Sequence, residues 1–367
     1  MRADPGECLR EAFGAGGEQF EVAVPGRVNL IGEHIDYHGL PVLPMALDRR
    51  IRVAFRPRTD RRIRAVSAGF GRREFDWTPE LAPAAPGDWG NYLRAAAQAV
   101  ARKWGVGAGV DAVITSDLPP AAGLASSSAL LVAFTLAFLR ANRRRATLEE
   151  LMEILPEGEQ FVGTRGGGMD HAASLASRKG CASLIAFEPL SVRPIPIPAD
   201  WGFLVAHSMR TAEKSGAMRE AYNARRRWGR RFRLPQTDPA SLTGDERHAL
   251  QHVTGEARRV EAAVAAMERA DAPAFGRLLL ESHASLRDLL KVSCPELDRL
   301  VEAAMESGAL GARLTGAGFG GCAVVFANKR DLPAIRSGLI ERFYAGDHSA
   351  FLIAAEPGPG TLYMEDP

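Results

Sequence analysis

Four stretches of the chain gather small residues around side chains that can hold anions, hydroxyl groups or protons. The first, PGRVNLIGEHIDYHGLPVLPMAL at 25 to 47, packs Arg27, Glu33, His34, Asp36 and Tyr37 into what reads as a loop bounded by glycines and prolines. So many hydroxyl-bonding side chains in one short segment suit a polyol ligand. GEHID invites a zinc reading, but it lacks the HExxH spacing that sets two histidines on one helix face. A lone histidine is more often structural; in this polar company His34 reads as a hydroxyl contact.

The second stretch, LPPAAGLASSSAL at 118 to 130, sets a Pro/Ala/Gly turn containing Gly123 and Leu124 before a helix that opens with Ser126, Ser127 and Ser128. Small residues let backbone approach an anion, and the first-turn N–H groups of a helix have no internal partners, so they can bond phosphate. The serine hydroxyls can also reach Mg²⁺ or phosphate oxygens. The plain alternative is an ordinary small-residue N-cap. No GK[ST] follows, which excludes a Walker A loop, and no GxGxxG follows the first strand, which removes the simplest dinucleotide reading.

The third, GARLTGAGFGGCAVVF at 311 to 326, reads as strand, glycine turn and strand. Alone it would be a tight hairpin; beside the others, Gly316 and Gly318 read as backbone closing over phosphate. The fourth, GTRGGGMDHAAS at 163 to 174, puts Asp170 just behind three glycines and a methionine. An aspartate in such a turn is usually a cap. Phosphoryl transfer, however, needs a carboxylate beside the acceptor hydroxyl, and Asp170 is the best placed.

The elements that must carry these segments are legible in outline. FEVAV at 20 to 24, IRVAF at 51 to 55 and DAVITS at 111 to 116 predict a sheet. The run from Ser126 to Arg140 is apolar around most of its circumference, so it predicts a buried helix too short to span a bilayer. A second helix is predicted over 147 to 162, then a strand, CASLIAF, at 181 to 187. EPLSVRPIPIPAD, at 188 to 200, is dense enough in proline to break regular structure and marks the expected domain boundary, giving domains 1–195 and 196–367. Helices are predicted over 211–231, 244–269, 273–292 and 295–307, with ARLTG, CAVVF and AFLIAA as late strands. Strands and helices mixed in both halves give an α+β protein with a cleft between domains.

Composition narrows the function classes. Hydrophobic residues are 46% and charged residues 25%, ordinary for a globular protein, and 46 Lys and Arg against 44 acids leave no field of the kind that drives nucleic-acid binding. The arginine runs at 143–145 and 225–231 read as solvated helix faces. The four cysteines show no CxxC and no metal-ligand spacing, so reduced, buried thiols are expected. No signal-like or membrane-spanning segment is evident, which makes the cytoplasm the expected compartment, with no membrane or nucleic-acid partner. A monomer is expected.

The four segments together, in this order, resemble the kinase superfamily named for galactokinase, homoserine kinase, mevalonate kinase and phosphomevalonate kinase. GRVNLIGEHIDY at 26 to 37 is similar to the galactokinase signature in particular, and the likeness extends from about Phe20 to Ala355, with WGNY at 89 to 92 and YNARRR at 222 to 227 between. The resemblance implies an N-terminal domain with a mixed sheet, a ferredoxin-like C-terminal domain and an active site between them. It implies ATP and Mg²⁺ as cofactors and phosphorylation of the anomeric hydroxyl of a galactose-like sugar, with D-galactose preferred here over N-acetylgalactosamine.

By that resemblance Asp170 is the catalytic carboxylate and Arg27 the cation that stabilises charge on the transferring phosphoryl group. Glu33, His34, Asp36, Gly168 and Tyr222 hold the sugar. Gly123, Leu124, Ser126, Ser127, Ser128, Gly316 and Gly318 line the nucleotide, while Ser127 and Glu159 hold Mg²⁺. IDYHG, PPAAGLASSSAL and GTRGGGMD look most like the branch containing N-acetylgalactosamine kinase and fungal galactokinases. Ala121, Ala122 and Ala125 stand where glycine or serine is usual, and His171 where glutamine is usual. A silent sugar and ATP sensor is the alternative from another class, and the intact Asp170 and Arg27 pair speaks against it. The GEHIDY run speaks against a mevalonate or homoserine kinase.

Overall fold

The computed structural model describes residues 4–118, 123–163, 166–211, 216–229, 232, 237–346 and 351–363. The turn residues 119–122, Thr164, Arg165, both ends of the helix predicted over 211–231, and Arg230 and Arg231 lie outside the described residues.

After the short helix α1 (Pro5–Phe13), the strands β1 (Phe20–Ile31) and β2 (Leu43–Pro57) pair antiparallel from Phe20 opposite Phe55 to Ile31 opposite Leu43. The segment read as a loop from residue 25 is therefore mostly strand, and only Gly32 to Pro41 connect its arms. Its buried residues explain why. Val28, Leu30, Ile31, Leu43 and Met45 are fully buried, so the pair gains more by continuing than Pro25 costs; the register shifts beside Pro25, at the kind of irregularity where a strand tolerates proline.

Two further strands, β3 (Arg62–Ser67) and β4 (Gly71–Asp76), and then helix α2 (Gly90–Trp104) precede β5 (Val110–Ser116). The sheet runs β1-β2-β5-β3-β4, with β3 parallel to β5 and the other pairs antiparallel. Helices α3 (Ser126–Ala141), α4 (Leu148–Phe161) and α5 (Met169–Ala176) complete this half. Phe134, Phe138, Leu131 and Ala137 of α3 are fully buried, as its uniformly apolar sequence requires, and Thr147 with Glu150 forms a capping box that starts α4.

The proline-rich stretch does not break regular structure. β6 (Cys181–Phe187) and β7 (Leu190–Pro196) make a hairpin, bridged to β2's approach by Val42 opposite Ile185. Ile197 donates its N–H to Gly180, so Pro194 and Pro196, of the opposite parity, turn their missing donors to the unpaired edge.

The second half forms a sheet in the order β11-β8-β10-β9, antiparallel throughout, from β8 (Trp201–His207), β9 (Gly311–Thr315), β10 (Cys322–Asn328) and β11 (Leu352–Ala354). Its helices are α6 (Gly216–Gly229), α7 (Gly244–Glu268), α8 (Ala272–Asp288), α9 (Pro295–Glu306) and α10 (Leu332–Leu339). The fold is α+β, with a mixed-sheet N-terminal half and an antiparallel, helix-covered C-terminal half. The tail then crosses back: Gly358 donates to Ala46, Gly360 to Ser177, and Thr361 bonds the carbonyls of Ala23 and Ser174. The last residues of the expected C-terminal domain thus pack on the N-terminal one.

Helix α8 lies so close to β9 that a Cβ on Gly276 would collide with the Leu310 carbonyl, leaving no room for a side chain. Gly276→Ala is expected to cost about 1–3 kcal/mol of stability, as over-packing typically does. A fall in the urea midpoint at unchanged slope would register that loss; an unchanged midpoint would mean that α8 lifts off β9 freely.

Candidate active site

A cavity of about 730 Å³ opens between the two halves. Its lining includes a polar corner, with Arg27, Glu33, Asp36, Asp170 and Tyr222, a largely aromatic stretch, with Ser67, Phe70, Trp89, Tyr92 and Leu130, and the glycine turn after β9.

Arg27 projects from β1 onto Asp170 in the first turn of α5. Its Nε and Nη2 reach Asp170 Oδ1 at 2.8 and 2.7 Å, and the pair is mostly buried, at 6% and 19% side-chain exposure. The third guanidinium nitrogen, Nη1, donates to the Gly123 carbonyl at 2.8 Å, and the Arg27 backbone N–H donates to Leu124. One arginine therefore ties the carboxylate to the loop in front of α3. That loop presents Gly123, Ser126 and Ser127 to the cavity. Leu124 does not join them: its side chain is in the core and its carbonyl is used by Arg27.

Ser128 is also turned inward, 1% exposed, with its hydroxyl donating to Glu159 Oε1 at 2.5 Å and lying 3.4 Å from Asp170 Oδ2. It links two carboxylates rather than facing the cavity as expected. Glu159 and Ser127 both line the cavity and offer hard oxygen donors. Among the described residues no three His, Cys, Asp or Glu side chains cluster. His171, fully buried behind Asp170, has its Nε2 at 3.6 Å from Glu159 and hydrogen-bonds through neither ring nitrogen among the described residues.

The polar corner is built on the Gly32–Tyr37 connection. Asp36 accepts the N–H groups of Tyr37 at 2.9 Å and Gly167 at 3.0 Å; a Cβ on Gly167 would strike the Asp36 and Tyr37 backbone, so only glycine permits that approach. Burial, reinforced by the nearby charge of Asp170, raises the Asp36 pKa to about 6. Gly168 holds a left-handed conformation (φ 102°) as the cap of α5.

Glu33 is held from three sides, by Asn29 Nδ2, by Arg313 Nη2 at 3.0 Å and by the Gly316 N–H. Burial raises its pKa, against the opposing pull of Arg313 and Arg27. Gly316 therefore uses its N–H on Glu33, and Phe319 and Gly321 use theirs on Val292 and Arg210, so those three amides are not available to a phosphate. His34 does not have the expected role either. Burial holds its pKa down near 3, so the ring is neutral; Nε2–H donates to the Ala317 carbonyl at 3.2 Å and Nδ1 accepts the Tyr37 hydroxyl at 3.0 Å. Both nitrogens are engaged within the protein, leaving none for a ligand hydroxyl. Tyr222 stacks obliquely on His34, ring centroids 5.4 Å apart, and burial keeps its phenol protonated.

The aromatic stretch was not read from sequence. Trp89 donates to the Phe70 carbonyl at 2.9 Å, which holds the β3–β4 turn beside α2, and WGNY was its only visible signal. Arg313, fully buried, gave no signal as a strand arginine. The whole arrangement can place a hydroxyl-rich ligand and a phosphorylated, aromatic-ended ligand against one carboxylate.

Three family models match: the galactokinase galactose-binding signature at residues 7–57, the GHMP kinases N terminal domain at 91–178 and the GHMP kinases C terminal at 263–345. The chain is 37% identical to the galactokinase of Roseiflexus sp. (strain RS-1) over 88% of its length and 87% of the relative's, and 35% identical to that of Homo sapiens over 99% and 97%. Lactococcus lactis galactokinase, solved complexed with galactose, superposes with a TM-score of 0.88 at 25% identity, covering 96% of this chain and 97% of that one. L. major mevalonate kinase, at TM-score 0.66 and 21% identity over 93% of this chain and 97% of that one, shares the fold alone. With those likenesses spanning both halves and the site between them, the chain belongs to the galactokinase family of the GHMP kinases.

Proposed function

We propose that this chain transfers the γ-phosphoryl group of ATP to the anomeric hydroxyl of D-galactose, giving galactose 1-phosphate and ADP. The observation that carries the reading is the Arg27–Asp170 pair, which stands where the polar corner meets the loop before α3. Asp170 takes the proton of the acceptor hydroxyl as its oxygen bonds phosphorus and the bond from phosphorus to the ADP oxygen breaks. Arg27 faces the negative charge of the transferring group while fixing Asp170 in place. Asp36 and Tyr222, with the free side of Glu33, hold the sugar hydroxyls; Phe70, Trp89 and Tyr92 give the base an aromatic wall.

Mg²⁺ belongs to this reading. Magnesium usually takes one or two carboxylates along with phosphate oxygens, and Glu159 with Ser127 fits that donor set. Bound there, it supplies neutralisation of charge on the nucleotide phosphates. Ser128 orients Glu159 for it. The four free thiols fit a cytoplasmic enzyme.

The reading is tested by measuring kcat/KM with ATP and galactose, N-acetylgalactosamine or glucose on one preparation. Galactose is expected to lead. A tenfold preference for N-acetylgalactosamine, about 1.4 kcal/mol, would move the assignment to that sugar, and equal use of glucose would end it.

Asp170→Asn should remain folded and bind galactose, because the amide fills the same volume, yet lose at least ~100-fold in kcat with the general base gone. Near-normal turnover would remove Asp170 from the chemistry.

A hydroxyl donor needs an ionised Asp36. With its pKa raised to about 6, the carboxylate is protonated below that pH, so 1/KM for galactose should climb from pH 5 to 7 and then level off. Asp36→Asn should bind weakly and lose that limb. A limb of the same position and size in the variant would assign it to another group.

A further inference from the structure

A layer of buried charge lies directly beneath the polar corner and takes no part in the chemistry above. Arg313, on β9, is fully buried. Its Nη1 donates to the carbonyls of Asn29 at 3.1 Å and Leu30 at 2.9 Å, and its Nη2 to Glu33 Oε2 at 3.0 Å. Asn29 Nδ2 donates to the same carboxylate oxygen, and the Gly316 N–H to the other. An ionised carboxylate has about four acceptor positions. Three are filled from within the protein, which leaves one, on Oε1, at a residue that lines the cavity.

The loop is fixed at its backbone as well. From α7, His252 Nε2–H donates to the Glu33 carbonyl at 3.0 Å, and Glu256 accepts the Gly32 N–H at 2.9 Å. A loop that belongs in sequence to the first half is thus held by groups of the second.

We propose that Arg313 is the positioning residue of the sugar subsite: it fixes Glu33 so that a single carboxylate lone pair meets one sugar hydroxyl, and it joins the sugar-binding loop to the glycine turn that covers the nucleotide. Arg313 does not touch substrate; it acts through Glu33. The planar guanidinium reaches three acceptors through two separate nitrogens, an arrangement that the single ammonium of a lysine does not reproduce. Without that cation Glu33 is left buried with its counter-charge gone, a situation that favours the protonated acid and turns a hydrogen-bond acceptor into a donor. The inference rests on galactose being the acceptor.

The test uses the full-length protein and three variants, Arg313→Met, Arg313→Lys and Asn29→Ala, each checked for folding by circular dichroism. Binding of radiolabelled galactose is measured without nucleotide, and binding of a non-hydrolysable ATP analogue without sugar, alongside kcat and KM. Arg313→Met is expected to weaken galactose at least ~10-fold, about 1.4 kcal/mol, with little change for the analogue and a larger rise in sugar KM than fall in kcat. Arg313→Lys should recover part of the loss. If Arg313→Met does not fold, Asn29→Ala carries the test: it strips one donor from the same oxygen and should cost several-fold in galactose affinity alone. Unchanged galactose binding in a folded Arg313→Met or Asn29→Ala protein, or equal weakening of sugar and analogue, would overturn the proposal. Failure of the wild-type chain to bind galactose would instead overturn the functional reading on which it stands.

Discussion

Everything at the centre of this molecule is arranged around one guanidinium. Arg27 contacts the Asp170 carboxylate with two nitrogens and the loop before α3 with the third, so the distance between the two is set by a rigid planar group instead of by packing alone. To deliver it, β1 must run on past Pro25, α5 must be capped at Gly168, and α3 at Ala125. The buried aliphatic residues of the β1–β2 pair and of α3 meet those requirements. A charge pair of this kind adds little to stability by itself, because desolvation offsets much of its Coulomb gain. Its value lies in orientation, and the stability comes from the apolar layers on either side.

Segments whose chemistry is local in sequence were readable from the residues alone. The apolar circumference of α3 and the β-branched run of β5 each carry their own signal. The predicted loop at 25 to 47 failed because glycines and prolines were given more weight than the run of fully buried Val28, Leu30 and Ile31 that keeps the ladder closed. The proline-rich β7 was missed for a related reason: prolines at every second position are compatible with an edge strand when all face the open side. Strands β3 and β4 are short and rich in arginine, and α1 fully buries only Leu9, so each offers few apolar residues to read.

At the site, residue identity was legible and residue use was not. His34, Ser128 and Leu124 sit in the right segments, but each spends its polar groups on the protein. The partners that claim them, Ala317, Glu159 and Arg27, are 283, 31 and 97 positions away in sequence. No pattern along the chain can report such competition. Arg313 is the same lesson in reverse, a strand arginine whose importance is visible only once Glu33 is seen across from it.

The returning tail has a consequence for how the protein is made. Thr361 bonds the carbonyl of Ser174, 187 residues earlier, in α5, the helix that carries Asp170 in its first turn. At ~5–20 residues per second of synthesis, roughly 10–40 s separate the appearance of that helix from the appearance of its strap. During that interval the nascent N-terminal half must keep α5 seated with one flank uncovered. The order of translation therefore makes α5 one of the last parts of the first half to be secured.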